Sequence, residues 1–210
     1  ADIGVTYGAP HLRTLEDLLP PDQDVPPMAD QRDYSLTCSV DSDLPGRAIE
    51  PNAEIVDAGS HRAQLGYTIS LAGGSFESVS RRQTSTAVDV AAAEMFAAST
   101  AGAVLIHLTG VLFFVSFGVL GAEPVRMWCD NSAAVLAGSD ATSIKRLAYI
   151  ARRVRFLQEL VVRGVVKMLN VSGDANPADG FTKHLPKAAF RLYMSRAYNC
   201  AAALFKSSAH

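Results

Sequence analysis

Residues 66–97 read GYTISLAGGSFESVSRRQTSTAVDVAAAEMFA, and this stretch decides the fold. Its segments GYTISL and SFESVS are rich in β-branched and aromatic residues and are separated by Ala-Gly-Gly, which predicts a β-hairpin. The composition then turns to alanine, which favours a helix, and we predict that Val90, Met95 and Ala98 share its buried side. Two antiparallel strands therefore lead into a helix.

Strand and helix patterns continue on both sides of this stretch. The segment YSLTCSV predicts a strand that ends at Asp41, VRMWC predicts a buried strand that runs into Asp130, and VVKMLNV predicts a last strand. Between the last two strands, apolar residues recur at steps of three and four, which predicts an amphipathic helix over residues 143–163. Strands first and then alternation with helices indicate an α/β fold with a mixed sheet covered by helices.

Four acidic residues occupy comparable places in this pattern. Asp41 and Asp130 stand at strand ends, Glu94 lies inside a helix, and Asp179 stands at the start of a helix that Asn176 can cap. Taken singly, each acid is better explained as a solvated loop residue or a helix cap. Together they suit Mg²⁺, which prefers oxygen ligands, and a pair of such ions can activate water and stabilise a leaving oxygen in phosphodiester cleavage.

This combination resembles the ribonuclease H domain of copia-type retrotransposons over residues 34–190. The similarity is carried by residues 66–97, by CDNSAA at 129–134 and by ADGFTKHLP at 178–186, which follows the last strand. The resemblance implies a ribonuclease H-like mixed five-stranded sheet flanked by helices. It also implies hydrolysis of the RNA strand of RNA–DNA hybrids, with two Mg²⁺ ions as cofactors and Mn²⁺ as the alternative ion.

Carried over position by position, the resemblance implies that the catalytic residues and metal ligands are Asp41, Glu94, Asp130 and Asp179. The implied partners are an RNA–DNA hybrid and the reverse transcriptase portion of the same polyprotein. The first ligand stays open among Asp41, Asp43 and Asp57, because extra residues lie between Asp41 and Gly66 compared with the family.

Residues 103–120, AVLIHLTGVLFFVSFGVL, depart from the family pattern, which carries charges in this region. No Asp, Glu, Lys or Arg lies between Glu94 and Glu123, and the apolar run is long enough to span a bilayer. The run therefore predicts a partner surface or a membrane contact, with burial in the core as the other option. Within it, we expect His107 to be packed rather than to bind a ligand.

The formal net charge of −2 means that nucleic-acid binding requires a local basic surface. The helix predicted over 143–163 supplies one, and its candidate nucleic-acid-binding residues are Lys145, Arg146, Arg152, Arg153 and Arg155. Contacts to phosphates do not read sequence, which suits an enzyme that recognises the shape and 2′-hydroxyls of a hybrid. A solvated helix face is the plain alternative.

The chain divides into three predicted parts. Residues 1–33 form the end of a strand and an acidic, proline-rich arm or linker, 34–190 form the ribonuclease H-like domain, and 191–210 form a C-terminal helical tail. Three cysteines without paired metal-ligand spacing fit a reducing, cytoplasmic location, with membrane association as the alternative. Trp128 and Cys129 are expected in the core.

Three functions follow as hypotheses. The leading one is a metal-dependent endoribonuclease that cleaves RNA–DNA hybrids. The alternative is a retroelement-derived, catalytically inactive structural or interaction subunit of a larger assembly, and a membrane assembly is one version of it. The third is a nucleic-acid-binding module without catalytic activity.

Overall fold

The computed structural model describes residues 35–44, 62–118, 120–139, 149–183 and 185–198. The strands are β1 Leu36–Asp43, β2 Gln64–Leu71, β3 Gly74–Arg82, β4 Val125–Cys129 and β5 Val166–Asn170. The helices are α1 Val90–Val115, α2 Ser132–Ser139, α3 Ala151–Val162 and α4 Lys187–Ala197, with short 3₁₀ helices at Gly173–Ala175 and Pro177–Phe181. The predicted arm at 1–33 lies outside the described residues.

The five strands form one mixed sheet in the order β3-β2-β1-β4-β5. Strands β1, β2 and β3 pair antiparallel, whereas β4 pairs parallel with both β1 and β5. The predicted hairpin joins β2 to β3 through Ala72 and Gly73, which both have positive φ as a tight two-residue turn requires. The expected α/β fold, a mixed five-stranded sheet flanked by helices, is confirmed.

The sheet register places the first pair of acids side by side. Val40 of β1 is paired with Cys129 of β4, and the two strands run parallel. Asp41 follows Val40 and Asp130 follows Cys129. The two acids therefore lie side by side near the carboxyl ends of β1 and β4. In the other direction, Asp41 is paired with Gly66 of β2. β1 also continues past the predicted end of the strand, so Asp41 and Asp43 both belong to it.

The first half of α1 packs on the sheet. Asp89 caps this helix by accepting a 2.7 Å hydrogen bond from the Ala92 amide. Met95 and Ala98 are fully buried, as predicted, but the prediction for Val90 is wrong because its side chain is 51% exposed. Val90 is the first residue of the helix and lies at the rim of the cavity described below.

The second half of α1 is more exposed, although Leu108 and Leu112 still pack against the core. Buried side chains on α1 end at Leu105, and the apolar side chains exposed beyond it are Ile106, Val111, Phe113, Phe114 and Val115, followed by Phe117. His107 is also exposed, so the expectation that it is packed is wrong. By length and composition alone, α1 could cross a membrane. Its first half is nevertheless occupied by contacts with the sheet and α3.

The remaining helices refine the predicted boundaries. α3 ends at Val162, close to the predicted end at 163, whereas residues 140–148, including Lys145 and Arg146, lie outside the described chain. α4 starts before the predicted domain boundary at 190 and packs on the 3₁₀ helix Pro177–Phe181, so this boundary falls within a helix. α2 was not predicted, although Asn131 accepts a hydrogen bond from the Ala134 amide at its start.

Candidate metal centre

Four carboxylates meet near the carboxyl ends of β1 and β4. They belong to β1, to α1, to the residue that follows β4 and to the 3₁₀ helix Pro177–Phe181. Oxygens of Asp41, Asp130 and Asp179 lie within 4.8 Å of one another. A second group joins Asp130 to Glu94 and to the Cys129 sulfur, again within 4.8 Å. Because Asp130 belongs to both groups, the four predicted acids form one continuous cluster. Their roles as metal ligands and catalysts stay predictions.

Glu94 is held from two sides. Its Oε1 accepts a 2.9 Å hydrogen bond from the Ser42 amide of β1, and its Oε2 accepts a 3.6 Å contact from the Cys129 thiol of β4. The residue is 1% exposed, so the carboxylate has little freedom to reorient. The packing of α1 on the sheet thus holds Glu94 against β1 and β4.

Asp41 is connected to the 3₁₀ helix that carries Asp179. Its carboxylate accepts a hydrogen bond from the Thr182 hydroxyl. The approach is close because β2 offers Gly66 at this point: a Cβ there would lie 2.7 Å from Thr182 Cγ2. A second link runs from the Asn176 side chain, which donates a 2.8 Å hydrogen bond to the Val40 carbonyl. These links bring Asp179 to β1.

One carboxylate oxygen of Asp179 accepts a hydrogen bond from a lysine, and the other accepts none within the described chain. Its Oδ2 accepts a 2.6 Å hydrogen bond from the Lys183 ammonium, one helical turn later. Its Oδ1 is buried and makes no hydrogen bond within the described chain. A buried carboxylate oxygen without a donor is costly unless a cation supplies the missing interaction.

Burial and the neighbouring carboxylates disfavour the ionised forms of Glu94, Asp130 and Asp179. Burial raises the pKa of Glu94 well above its usual value, and the charges of Asp41 and Asp130 add to this effect. Burial and Asp41 also raise the pKa of Asp179, to about 7, although Lys183 acts in the opposite direction. Burial and Asp41 likewise raise the pKa of Asp130. A divalent cation would relieve this mutual repulsion.

A cavity of about 410 Å³ opens beside the cluster. Its lining consists of Asp41, Ser42, Asp43, Leu44, Val90, Glu94, Asp130, Asn131 and Lys183. The donors are hard carboxylate oxygens, and the free Oδ1 of Asp179 offers a further lone pair, so these residues fit a hard divalent cation such as Mg²⁺. Asp41, Glu94, Asp130 and Asp179 would hold it.

The structure separates the candidates for the metal ligand on β1. Asp41 is 1% exposed and belongs to the carboxylate cluster, whereas Asp43 lines the rim of the cavity two residues further along β1. Asp57 lies outside the described residues. Geometry therefore favours Asp41 over Asp43 as the ligand.

Sequence reasoning missed several supporting residues. The buried Gln83 donates hydrogen bonds to the Ser42 hydroxyl at 2.9 Å and to the Ala93 carbonyl at 2.8 Å, and so joins β1 to α1 beside the cluster. Its place after the two arginines of the SRRQ motif was the available signal. Cys129 is buried as expected, but its thiol also contacts Glu94. Nothing in its spacing pointed to that interaction.

The predicted basic surface is only partly described. Arg152 and Arg155 are exposed on α3, where phosphates could reach them. Arg153 instead packs inward: its guanidinium lies 4.3 Å from the centre of the Phe96 ring and donates a 3.0 Å hydrogen bond to the Ser99 hydroxyl. Arg153 thus joins α3 to α1, while its role in binding nucleic acid stays a prediction.

Comparison with known proteins points to retroelements. The chain is 29% identical over 136 residues to the retrovirus-related Pol polyprotein from transposon TNT 1-94 of Nicotiana tabacum. This match covers 65% of the chain, which spans about 10% of the length of that polyprotein. The chain is therefore similar to one segment of a retrotransposon polyprotein. No protein-family model matches it.

Among solved structures, the chain is similar to LC11-RNase H1, isolated from compost by a metagenomic approach. The sequence identity is 18%, the TM-score is 0.42, and the match covers 71% of this chain and 93% of the other.

Proposed function

We propose that this chain is a metal-dependent endoribonuclease that cleaves the RNA strand of RNA–DNA hybrids, as the ribonuclease H segment of a retrotransposon polyprotein. The observation that carries the proposal is the convergence of Asp41, Asp130 and Asp179 within 4.8 Å, with Glu94 beside Asp130. The similarity to a transposon Pol polyprotein supports the same context. We further propose an intracellular location and a reverse transcriptase portion of the same polyprotein as partner.

The four carboxylates would hold two divalent ions, Mg²⁺ or Mn²⁺, which when bound activate a water and stabilise the leaving oxygen of the phosphodiester. The chain itself provides orientation. The Ser42 amide and the Cys129 thiol fix Glu94, and the Thr182 hydroxyl fixes Asp41. Such supporting interactions hold ligand oxygens in place before a cation arrives.

The exposed Arg152 and Arg155 would bind phosphates of the hybrid, with Lys145 and Arg146 as further candidates on the same predicted helix. Phosphate binding of this kind positions a duplex without selecting a base sequence. Replacing either arginine by alanine should therefore weaken binding to all sequences equally and reduce its salt dependence.

The test is Mg²⁺-dependent cleavage of a labelled RNA–DNA hybrid by the wild type and by Asp130→Asn. We expect at least a roughly hundredfold loss of rate in the variant, because Asp130 belongs to both carboxylate groups. Glu123→Gln, at an exposed residue outside the cavity lining, is the control and should cleave normally. An inactive wild type that still binds hybrids would instead identify a silent nucleic-acid-binding module.

A second candidate function is a catalytically inactive subunit of a membrane-bound assembly. It is favoured by the end of α1, where Phe113, Phe114 and Val115 are exposed at consecutive positions, while Leu112 on the other side of the helix packs against the core. This exposed apolar surface belongs to a run without charged residues between Glu94 and Glu123, which suits contact with lipid hydrocarbon. We propose that this end inserts into the apolar interior of a bilayer.

Flotation with neutral phosphatidylcholine liposomes tests this candidate. The wild type should float with the liposomes at both low and high salt, because the inserted end carries no charge. The triple variant with Phe113, Phe114 and Phe117 replaced by serine should stay behind. Phe76→Ser, which removes a comparably exposed phenylalanine from β3, should float like the wild type. A wild type that remains monomeric and unbound contradicts the membrane role.

A further inference from the structure

Lys183 places its ammonium inside the carboxylate cluster. Its Nζ lies 2.6 Å from Asp179 Oδ2, and the side chain contributes to the cavity wall together with Glu94 and Asp130. The lysine side chain is 37% exposed, whereas that of Asp179 is 6% exposed. The ammonium thus reaches from the solvent side toward a buried carboxylate.

More than one carboxylate attracts this ammonium. Although burial alone would lower the pKa of Lys183, the hydrogen bond to Asp179 and the charges of Asp41 and Asp130 raise it above its usual value. The direct contact is the hydrogen bond to Asp179, and Asp41 and Asp130 act on the same ammonium through their charges. An ammonium so placed balances part of the negative charge that a divalent cation would otherwise neutralise.

Asp179 Oδ1 shows that the Lys183 ammonium compensates only part of the negative charge of the cluster. Asp179 Oδ1 is buried without a hydrogen-bond partner in the described chain, and the residue as a whole is 4% exposed. Asp179 also belongs to the group whose oxygens lie within 4.8 Å of one another, with Asp41 and Asp130. Lys183 satisfies only Oδ2 and leaves Oδ1 without a partner.

From this arrangement we propose that Lys183 is an internal counter-cation that competes with a divalent cation for Asp179. Full coordination by Asp179 then requires the Lys183–Asp179 hydrogen bond to break and the flexible lysine side chain to turn outward, which its partial exposure permits. The chain therefore binds a cation at Asp179 more weakly than the carboxylates alone would. This inference rests on the proposed metal site.

Titration calorimetry with Mn²⁺ and with Mg²⁺, in the absence of nucleic acid, tests the proposal on the full chain. Lys183→Met keeps an unbranched side chain that is one atom shorter and removes its charge, so divalent ions should bind about tenfold more tightly than to the wild type. Lys183→Arg keeps the charge and should not show this gain. Lys167→Met, at an exposed lysine of β5 outside the cavity lining, controls for the change in net charge.

A double-mutant cycle with Asp179→Asn makes the test specific. In the Asp179→Asn background, Lys183→Met should tighten binding much less than in the wild type, because the carboxylate for which lysine and cation compete directly has been replaced by an uncharged amide. A gain caused only by a change in structure at position 183 would be the same in both backgrounds, so the cycle distinguishes it from competition. Circular dichroism of each variant checks that it is folded.

The outcomes separate this inference from the proposed function. A wild type that binds divalent ions, together with a Lys183→Met variant that binds them equally or more weakly, overturns the competition alone. An equal gain in Lys183→Met and Lys167→Met also overturns it, since net charge would then be the cause. If no variant binds Mn²⁺ or Mg²⁺, both the competition and the metal centre are wrong.

Discussion

Replacing Gly66 by alanine should disturb the fold and the metal centre together. Gly66 is paired with Asp41 across β1 and β2. A Cβ at this position would lie 2.7 Å from Thr182 Cγ2 and 2.9 Å from Phe181 Cβ, against about 3.5–4.0 Å for an ordinary carbon–carbon contact. The Phe181 Cβ cannot rotate away, because it is attached directly to the backbone.

The shortfall of roughly 1 Å has to be relieved by a movement of the 3₁₀ helix that carries Asp179. Overpacking of this kind typically costs about 1–3 kcal/mol, so the free energy of unfolding should fall by that amount. For a chain of this size, each kcal/mol lowers Tm by about 2–4 °C. Divalent ions should also bind more weakly, because Asp179 moves away from Asp41.

Urea denaturation of metal-free protein measures the first effect, and Mn²⁺ titration measures the second. Gly110→Ala is the matched control, since no atom lies within 4 Å of its added Cβ and the residue is inside α1. There the same change should raise stability by up to about 1 kcal/mol. Equal stabilities of Gly66→Ala and the wild type would refute the close approach of the 3₁₀ helix to β2.

Two further predictions concern the same segment. Asn176→Ala removes the donor to the Val40 carbonyl and the acceptor of the Ala178 amide, so urea denaturation should show a loss of about 1–3 kcal/mol; an unchanged midpoint would contradict the role of Asn176 as a tie to β1. The pKa of Asp179 in the folded chain, about 7, lies above its value in an unfolded chain, so the folded state binds the proton more tightly. Its contribution to stability is therefore present at low pH and is lost between about pH 4 and 7. Stability curves of metal-free wild type and Asp179→Asn should diverge over this interval, and parallel curves would count against the raised pKa.

The main elements were predictable from the sequence because their signals are local. The Ala-Gly turn and the strand residues beside it specify the hairpin, and Asn176 followed by Pro177 specifies the start of a 3₁₀ helix. The convergence of the acids was expected from the resemblance alone, and the strand order explains part of it. Once β1 and β4 pair in parallel, Asp41 and Asp130 have to be neighbours.

The errors arose where tertiary packing decides. Val90 matched a helical apolar pattern, but it is the first residue of α1 and lies at the rim of a polar cavity. His107 stands in an apolar run that suggested burial, yet it is exposed and lies beyond Leu105, the last fully buried residue of α1. Periodicity indicates which residues share a side of a helix, and it does not indicate where the covering layer ends.

The supporting interactions of the site could not be predicted because they join residues far apart in sequence. Thr182 and Asp41 are 141 positions apart, and Gln83 and Ser42 are 41 apart. No spacing rule addresses such pairs. Lys183 belongs to the ADGFTKHLP segment at 178–186, but only the structure shows that its ammonium contacts Asp179.

The position of β1 in the sheet has a consequence for the order in which the chain opens. β1 is the middle of five strands, so its amides should exchange with solvent deuterium only when the whole sheet opens. Asp179, in contrast, belongs to a five-residue 3₁₀ helix, a short element that can detach by local unfolding. Asp41 thus lies on a strand that opens last, whereas Asp179 lies on an element that can detach by itself. On heating, a bound ion would be released before the sheet melts.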